Sequence, residues 1–173
     1  LKTRHPLILT ARIAEEDLAP FDALRQKHFP PPRNFLRAHL TIFHRLPGEY
    51  VDRIVETLSS VANGKSLMTA CVVGVRHLGA GVAFTVECPE LSAVRDILRE
   101  SFIHWLGSQD MQAWKPHMTI QNKVPRHVAD ALFREQVDGF QPQSIVVTGL
   151  DLWRYLDGPW DHAGIFAFDA LPR

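Results

Sequence analysis

Two cysteines in 173 residues, Cys71 and Cys88, stand in no Cys-x-x-Cys spacing. Their scarcity argues against a zinc knuckle or a disulfide scaffold. A hairpin near Gly79-Ala80 would set them opposite each other, but buried thiols are the expected state. Net charge is missing too, since 19 Lys and Arg balance 19 Asp and Glu at a pI near 7.3. Proteins that hold long nucleic acid by neutralising phosphates carry a basic excess, whereas a small or terminal nucleotide needs only a few local cations. No apolar run is long enough to cross a bilayer, and the N-terminus lacks a secretory pattern. The expectation is therefore a reduced, cytoplasmic protein with no membrane association. There is no HxH, HExxH or His–Cys cluster, so no metal is expected. No Gly-x-Gly-x-x-Gly or Walker loop is present, which leaves ATP or NAD as a cofactor unsupported and gives an expectation of no cofactor.

What is present is a globular composition, 46% hydrophobic and 22% charged, in a chain that buries one core. Residues 6–13 form an apolar run that reads as a strand. Glu15 and Glu16 open an amphipathic helix, which Pro30-Pro31-Pro32 ends. A strand over 38–44, a turn at Pro47-Gly48 and a helix over 51–61 follow. Strands over 67–76 and 82–88 flank the turn Gly79-Ala80-Gly81. A helix over 89–105 has Pro89 in its first turn. A loop over 108–115 leads to a strand beginning near His117, and Pro125 opens another helix. Strands over 144–155 and 164–169 close the chain, joined by a turn at Asp157-Gly158-Pro159-Trp160. The order strand, helix, strand, helix, strand thus occurs twice. The reading is an α+β, bilobal, internally duplicated fold, with two antiparallel or mixed sheets lining a central groove and helices on the outer faces. It is one domain over 1–173, with lobes of roughly 6–78 and 79–173.

The chemistry sits in two matching strands. Arg37-Ala38-His39-Leu40-Thr41-Ile42 in the first half is echoed by Lys115-Pro116-His117-Met118-Thr119-Ile120 in the second. In a strand alternate side chains share a face, so His39 pairs with Thr41 and His117 with Thr119. A pseudo-twofold between the lobes would converge all four on one groove. Two imidazoles flanking a phosphodiester suit metal-independent acid–base catalysis, one taking a proton and the other delivering one, while the threonines donate to phosphate oxygens. Regular alternation extends these faces to Phe43 and Arg45, and to Gln121 and Lys123. Arg45 and Lys123 are then candidate phosphate anchors, and Phe43 a base-stacking wall. The same alternation turns His44 away from the groove, toward the helices. Trp153 and Tyr155 are expected to flank a base or ribose, and Phe35 and Arg37 to form a rim.

At His39-Leu40-Thr41-Ile42, Pro116-His117-Met118-Thr119-Ile120 and Leu46-Pro47-Gly48 the chain resembles the 2H phosphoesterase superfamily, in its 2′-5′ RNA ligase and cyclic phosphodiesterase branch. The resemblance implies action on 2′,3′-cyclic phosphates of nucleotides or RNA ends, with His39 and His117 as the acid–base pair and Thr41 and Thr119 as phosphate ligands. Ligation of a 2′-5′ linkage at the same site is the near alternative, and a non-catalytic module that binds RNA ends or nucleotides is the more distant one. The expected partner is a nucleotide or RNA terminus with a cyclic phosphate, and the expected state a monomer.

Overall fold

Residues 5–169 are described by the structure, a computed structural model. In chain order the elements are β1 (Leu7–Ile13), α1 (Glu15–His28), β2 (Leu40–Leu46), α2 (Val51–Ala62), β3 (Met68–His77) and β4 (Val82–Glu87). They continue with α3 (Pro89–Phe102), α4 (Ser108–Met111), β5 (His117–Gln121), α5 (Arg126–Gly139), β6 (Gln143–Tyr155) and β7 (Trp160–Ala167). Local chemistry accounts for the borders. The first turn of α1 carries Glu15, Glu16 and Asp17 and its last turn Arg25, Lys27 and His28, as the helix dipole favours. Gly79 turns the β3–β4 hairpin with φ 87°, a left-handed conformation that costs glycine little. Cys88 is buried and Cys71 partly so, and both are free thiols.

The sheet departs from the expected pair of facing sheets. All ladders between named strands are antiparallel, and they run in one sheet, β1-β2-β5-β4-β3-β6-β7, in which β6 also returns to pair with β1. Six strands therefore close into a barrel. The 13-residue β6 makes this possible: one edge lies along β1, and the other is shared end to end by β3 and β7. The final strand begins at Trp160, so that residue belongs to β7 and not to the turn before it.

The barrel has a weak seam, and the seam makes the site. β2 and β5 pair only at Leu40–Met118 and then diverge. Buried peptide groups left without a ladder must find other partners. On β2, Trp114 Nε1 donates to the Thr41 carbonyl at 3.0 Å and Arg95 Nε to the Ile42 carbonyl at 3.0 Å. On β5, Arg25 Nη1 donates to the Thr119 carbonyl at 2.9 Å. The exchange is reciprocal: Arg25 comes from α1 in the first half and serves the second-half strand, whereas Arg95 comes from α3 and serves the first. Beneath the seam Leu40, Ile42, Met118 and Ile120 are wholly buried in one continuous core.

Candidate active site

His39 stands immediately before β2 and His117 opens β5, each with its threonine two residues on. Each ring is fixed the same way. Nδ1 of His39 lies 2.8 Å from the carbonyl of Arg37, and Nδ1 of His117 lies 2.7 Å from that of Lys115. A carbonyl only accepts, so both Nδ1 atoms carry the proton and both Nε2 atoms are left for other work. The loop before His39 is itself strapped to α1. Arg37 forks onto both carboxylate oxygens of Glu15 at 2.8 Å and reaches Asp22 at 3.1 Å, while Asp22 also accepts the Ala38 amide.

His39, Thr41, His117 and Thr119 line one groove of about 370 Å³, together with His44, Arg76, Arg95, Lys115, Gln109, Gln112, Trp114 and Trp160. No carboxylate residue is among its lining residues. In a chain of zero formal charge, the groove has three cationic lining residues, Arg76, Arg95 and Lys115, with no carboxylate beside them, and a cleft of one sign focuses its field on an anion. Burial depresses both catalytic-candidate imidazoles. His39 is pushed down to about 4, chiefly by desolvation, against the pull of the Arg37 carbonyl and with further lowering from Arg25, His117 and His44. His117 is lowered by desolvation, opposed by the Lys115 carbonyl and assisted by Arg76 and His44. Both rings are therefore neutral at pH 7, with Nε2 presenting a lone pair.

Beyond the threonines, strict alternation fails. Thr10 faces Thr41 and Leu9 faces Phe43, so one step on β1 spans two on β2 and Ile42 is the extra residue of a bulge. The second strand repeats the device, with Ala83 opposite Thr119, Val82 opposite Gln121, and Ile120 as the extra residue. Each bulge turns the residue after it inward. Phe43 is fully buried, edge-on to Phe102 and beneath the Arg95 guanidinium, so it is core and not a base-stacking wall. Gln121 is buried at the matching place. Arg45 and Lys123 are exposed and line no part of the groove; Lys123 lies past the strand with φ 61°. The bulge swings His44 the other way: its ring lines the groove, against the expectation that it turned away, while its Nδ1 meets a helix, α4, through Asp110.

Trp153 lies in a neighbouring chamber of about 440 Å³, which shares His39 and Trp160 with the groove and is also lined by Thr10, Arg12, Phe35 and Arg37. Trp153 stacks on His162 at 4.4 Å and donates to Thr10 Oγ1 at 2.9 Å, whereas Tyr155 is exposed and lines neither space. Trp160, whose ring centre is 4.8 Å from that of His39, and Arg76, which reaches the groove from β3, escaped the sequence reading. Arg76 carries one signal: it is the lone Lys or Arg of the largely apolar β3. Among the described residues no three of His, Cys, Asp and Glu converge to hold a metal ion, and no helix is long and apolar enough to cross a membrane.

Residues 12–159 match the profile of the 2′-5′ RNA ligase superfamily. The chain belongs to that superfamily. A search of curated proteins by sequence gave this superfamily member no match. Its fold is similar to that of TT0787 of Thermus thermophilus, with a TM-score of 0.67 and 18% identity over 95% of this chain and 98% of that one. It is similar also to E. coli LigT complexed with 3′-AMP, with a TM-score of 0.65 and 16% identity over 95% and 98%. A crystal structure described as a phosphoesterase aligns with a TM-score of 0.59 and 16% identity over 95% and 98%.

Proposed function

We propose that the protein is a phosphodiesterase that opens 2′,3′-cyclic phosphates of nucleotides or RNA ends by two-histidine acid–base catalysis. One observation carries this reading: two imidazoles, each with Nδ1–H committed to the carbonyl two residues back, line one groove that has no carboxylate among its lining residues. His39 and His117 act as the acid–base pair. An arriving phosphate brings negative charge into a space where both rings are neutral, and one ring takes up a proton in response. The neutral ring removes a proton from water through Nε2, and the water oxygen bonds to phosphorus. The bond from phosphorus to one ribose oxygen breaks, and the protonated ring delivers its proton to that oxygen. The product is a phosphomonoester with a free vicinal hydroxyl, and the two rings have exchanged roles. Thr41 and Thr119 donate to the non-bridging oxygens, and Arg76 and Lys115 offset the charge that develops.

The nucleoside takes the neighbouring chamber, where Trp153, Trp160 and Phe35 offer stacking faces beside His39. Crystals of E. coli LigT with 3′-AMP, phosphate, NADP+ and ATP are consistent with a nucleotide-sized anion as the ligand type. The matching order of elements from β1 to β3 and from β4 to β6 supports descent of the two lobes from one repeated unit.

Incubation of the pure protein with EDTA and a 2′,3′-cyclic nucleotide across pH tests the reading. The expected result is metal-independent turnover with a bell-shaped profile, reduced about 100-fold or more in His39→Ala and in His117→Ala. Binding without turnover, indifferent to either substitution, would make the chain a nucleotide-binding module instead.

A further inference from the structure

The groove contains a third imidazole, and its surroundings differ in kind from those of the other two. His44 Nδ1 lies 2.9 Å from Oδ1 of Asp110, a carboxylate from α4 that is only 2% exposed. The same carboxylate accepts the His44 amide at 2.9 and 3.0 Å and the Arg45 amide at 3.1 Å, filling the ladder positions where β2 has parted from β5. The Asp110 carbonyl in turn accepts Arg95 Nη2 at 3.0 Å. Burial works to raise the Asp110 carboxyl, but the hydrogen bonds from the His44 ring and from the His44 and Arg45 amides hold it below its ordinary value. Because a carboxylate only accepts, His44 must donate from Nδ1. Its Nε2 is left without a hydrogen-bond partner among the described residues, on a ring that lines the groove.

The backing decides the role. A ring held by a neutral carbonyl, as His39 and His117 are, gains or loses its proton with no compensating charge behind it. Behind His44 stands a buried carboxylate, and a proton placed on Nε2 is balanced from the rear. His44 also has no counterpart in the other half. The position 78 residues on is Asn122, whose side chain accepts the Lys123 amide and lines no part of the groove. Charged and titratable groups facing His44 are His39, His117, Arg76, Arg95 and Lys115 around the groove, with Asp110 behind it and the neutral Gln109 and Gln112 alongside.

We propose that His44, held by Asp110, is a third phosphoryl-contacting residue of the groove, which donates from Nε2 to a phosphate oxygen while the other two imidazoles carry the proton transfers. This inference rests on the phosphoester reading above. It also breaks the near-equivalence of the two His-Thr pairs: an anion drawn toward His44 sits closer to one strand, which orients the scissile bond.

Calorimetric titration of the whole chain with inorganic phosphate, in two buffers of different ionisation enthalpy, measures both affinity and protons taken up. His44→Ala should weaken phosphate binding about 10-fold or more and lower the proton uptake. His44→Gln, whose amide N–H can occupy the place of Nε2–H, should recover part of the affinity but none of the lost uptake. Asp110→Asn should lower the uptake with the ring still present. Wild-type binding with both His44 variants matching it in affinity and uptake would overturn the role of His44 and leave the acid–base pair standing. Failure of the wild-type protein to bind phosphate at all would overturn the functional reading together with this inference.

Discussion

Arg76 and His117 offer a direct test of the site's electrostatics. Arg76 Nη1 lies 3.4 Å from His117 Nδ1, and that Nδ1–H is already donated to the Lys115 carbonyl at 2.7 Å, so the contact sets donor against donor. With the ring protonated, two positive charges face each other. Coulomb's law at that separation gives about 1 kcal/mol with the dielectric of water and several times more at ε of about 20. The groove is open to solvent and both charges are delocalised, so the lower end applies, and Arg76 adds this repulsion to the desolvation that already lowers His117. Arg76→Met removes the charge and keeps most of the stem. His117 should then titrate higher, followed through its Cε1–H shift by NMR in the absence of ligand. Added salt screens the pair, so the wild-type His117 should climb with ionic strength and the variant should not. An unchanged or lower titration in Arg76→Met, or a wild-type ring indifferent to salt, would refute the argument.

Two further outcomes follow from the same contacts. His39 and His117 titrate below their ordinary value in the folded chain, and the unfolded chain takes up those protons first, at about 6.5. Stability is therefore full above about pH 6.5 and falls as pH drops toward 4; urea midpoints that stay flat across that window would contradict it. Arg25 donates to the carbonyls of Leu36 and Thr119 and to Asn34 from a buried position, where desolvation lowers its guanidinium to about 10. Arg25→Met leaves those acceptors unpaired and should cost about 2–4 kcal/mol in urea unfolding, and a loss below about 1 kcal/mol would show that they find other partners.

The sequence made the periodic features legible. Proline and glycine punctuation, apolar stripes and the two His-x-Thr strands place the elements near their observed borders, because each depends on residues adjacent in the chain. The bulges did not announce themselves. A single extra residue reverses every later side chain, and the hint is small: Thr41 and Thr119 are each followed by two residues that the structure buries, Ile42-Phe43 and Ile120-Gln121. Strict alternation therefore makes Phe43 a wall of the groove and turns His44 away from it, whereas Phe43 is buried and His44 lines the groove. Asp110, Arg76 and Trp160 reach the site from α4, β3 and β7, and only barrel closure brings them near it. That Arg76, Arg95 and Lys115 line a groove without carboxylates is likewise invisible in a charge count. Gly81 shows the same limit, since a Cβ there would collide with the Gln121–Asn122 backbone, a neighbour 40 residues away.

The reciprocal arginines carry a consequence for how the site comes into being. Each His-Thr strand has a carbonyl held by a guanidinium from the opposite half, so neither half can complete its own strand. A fragment ending at the β3–β4 hairpin would contain His39 and Thr41 but not Arg95, which secures their strand. The groove therefore lies where the barrel closes, and its geometry depends on both halves at once.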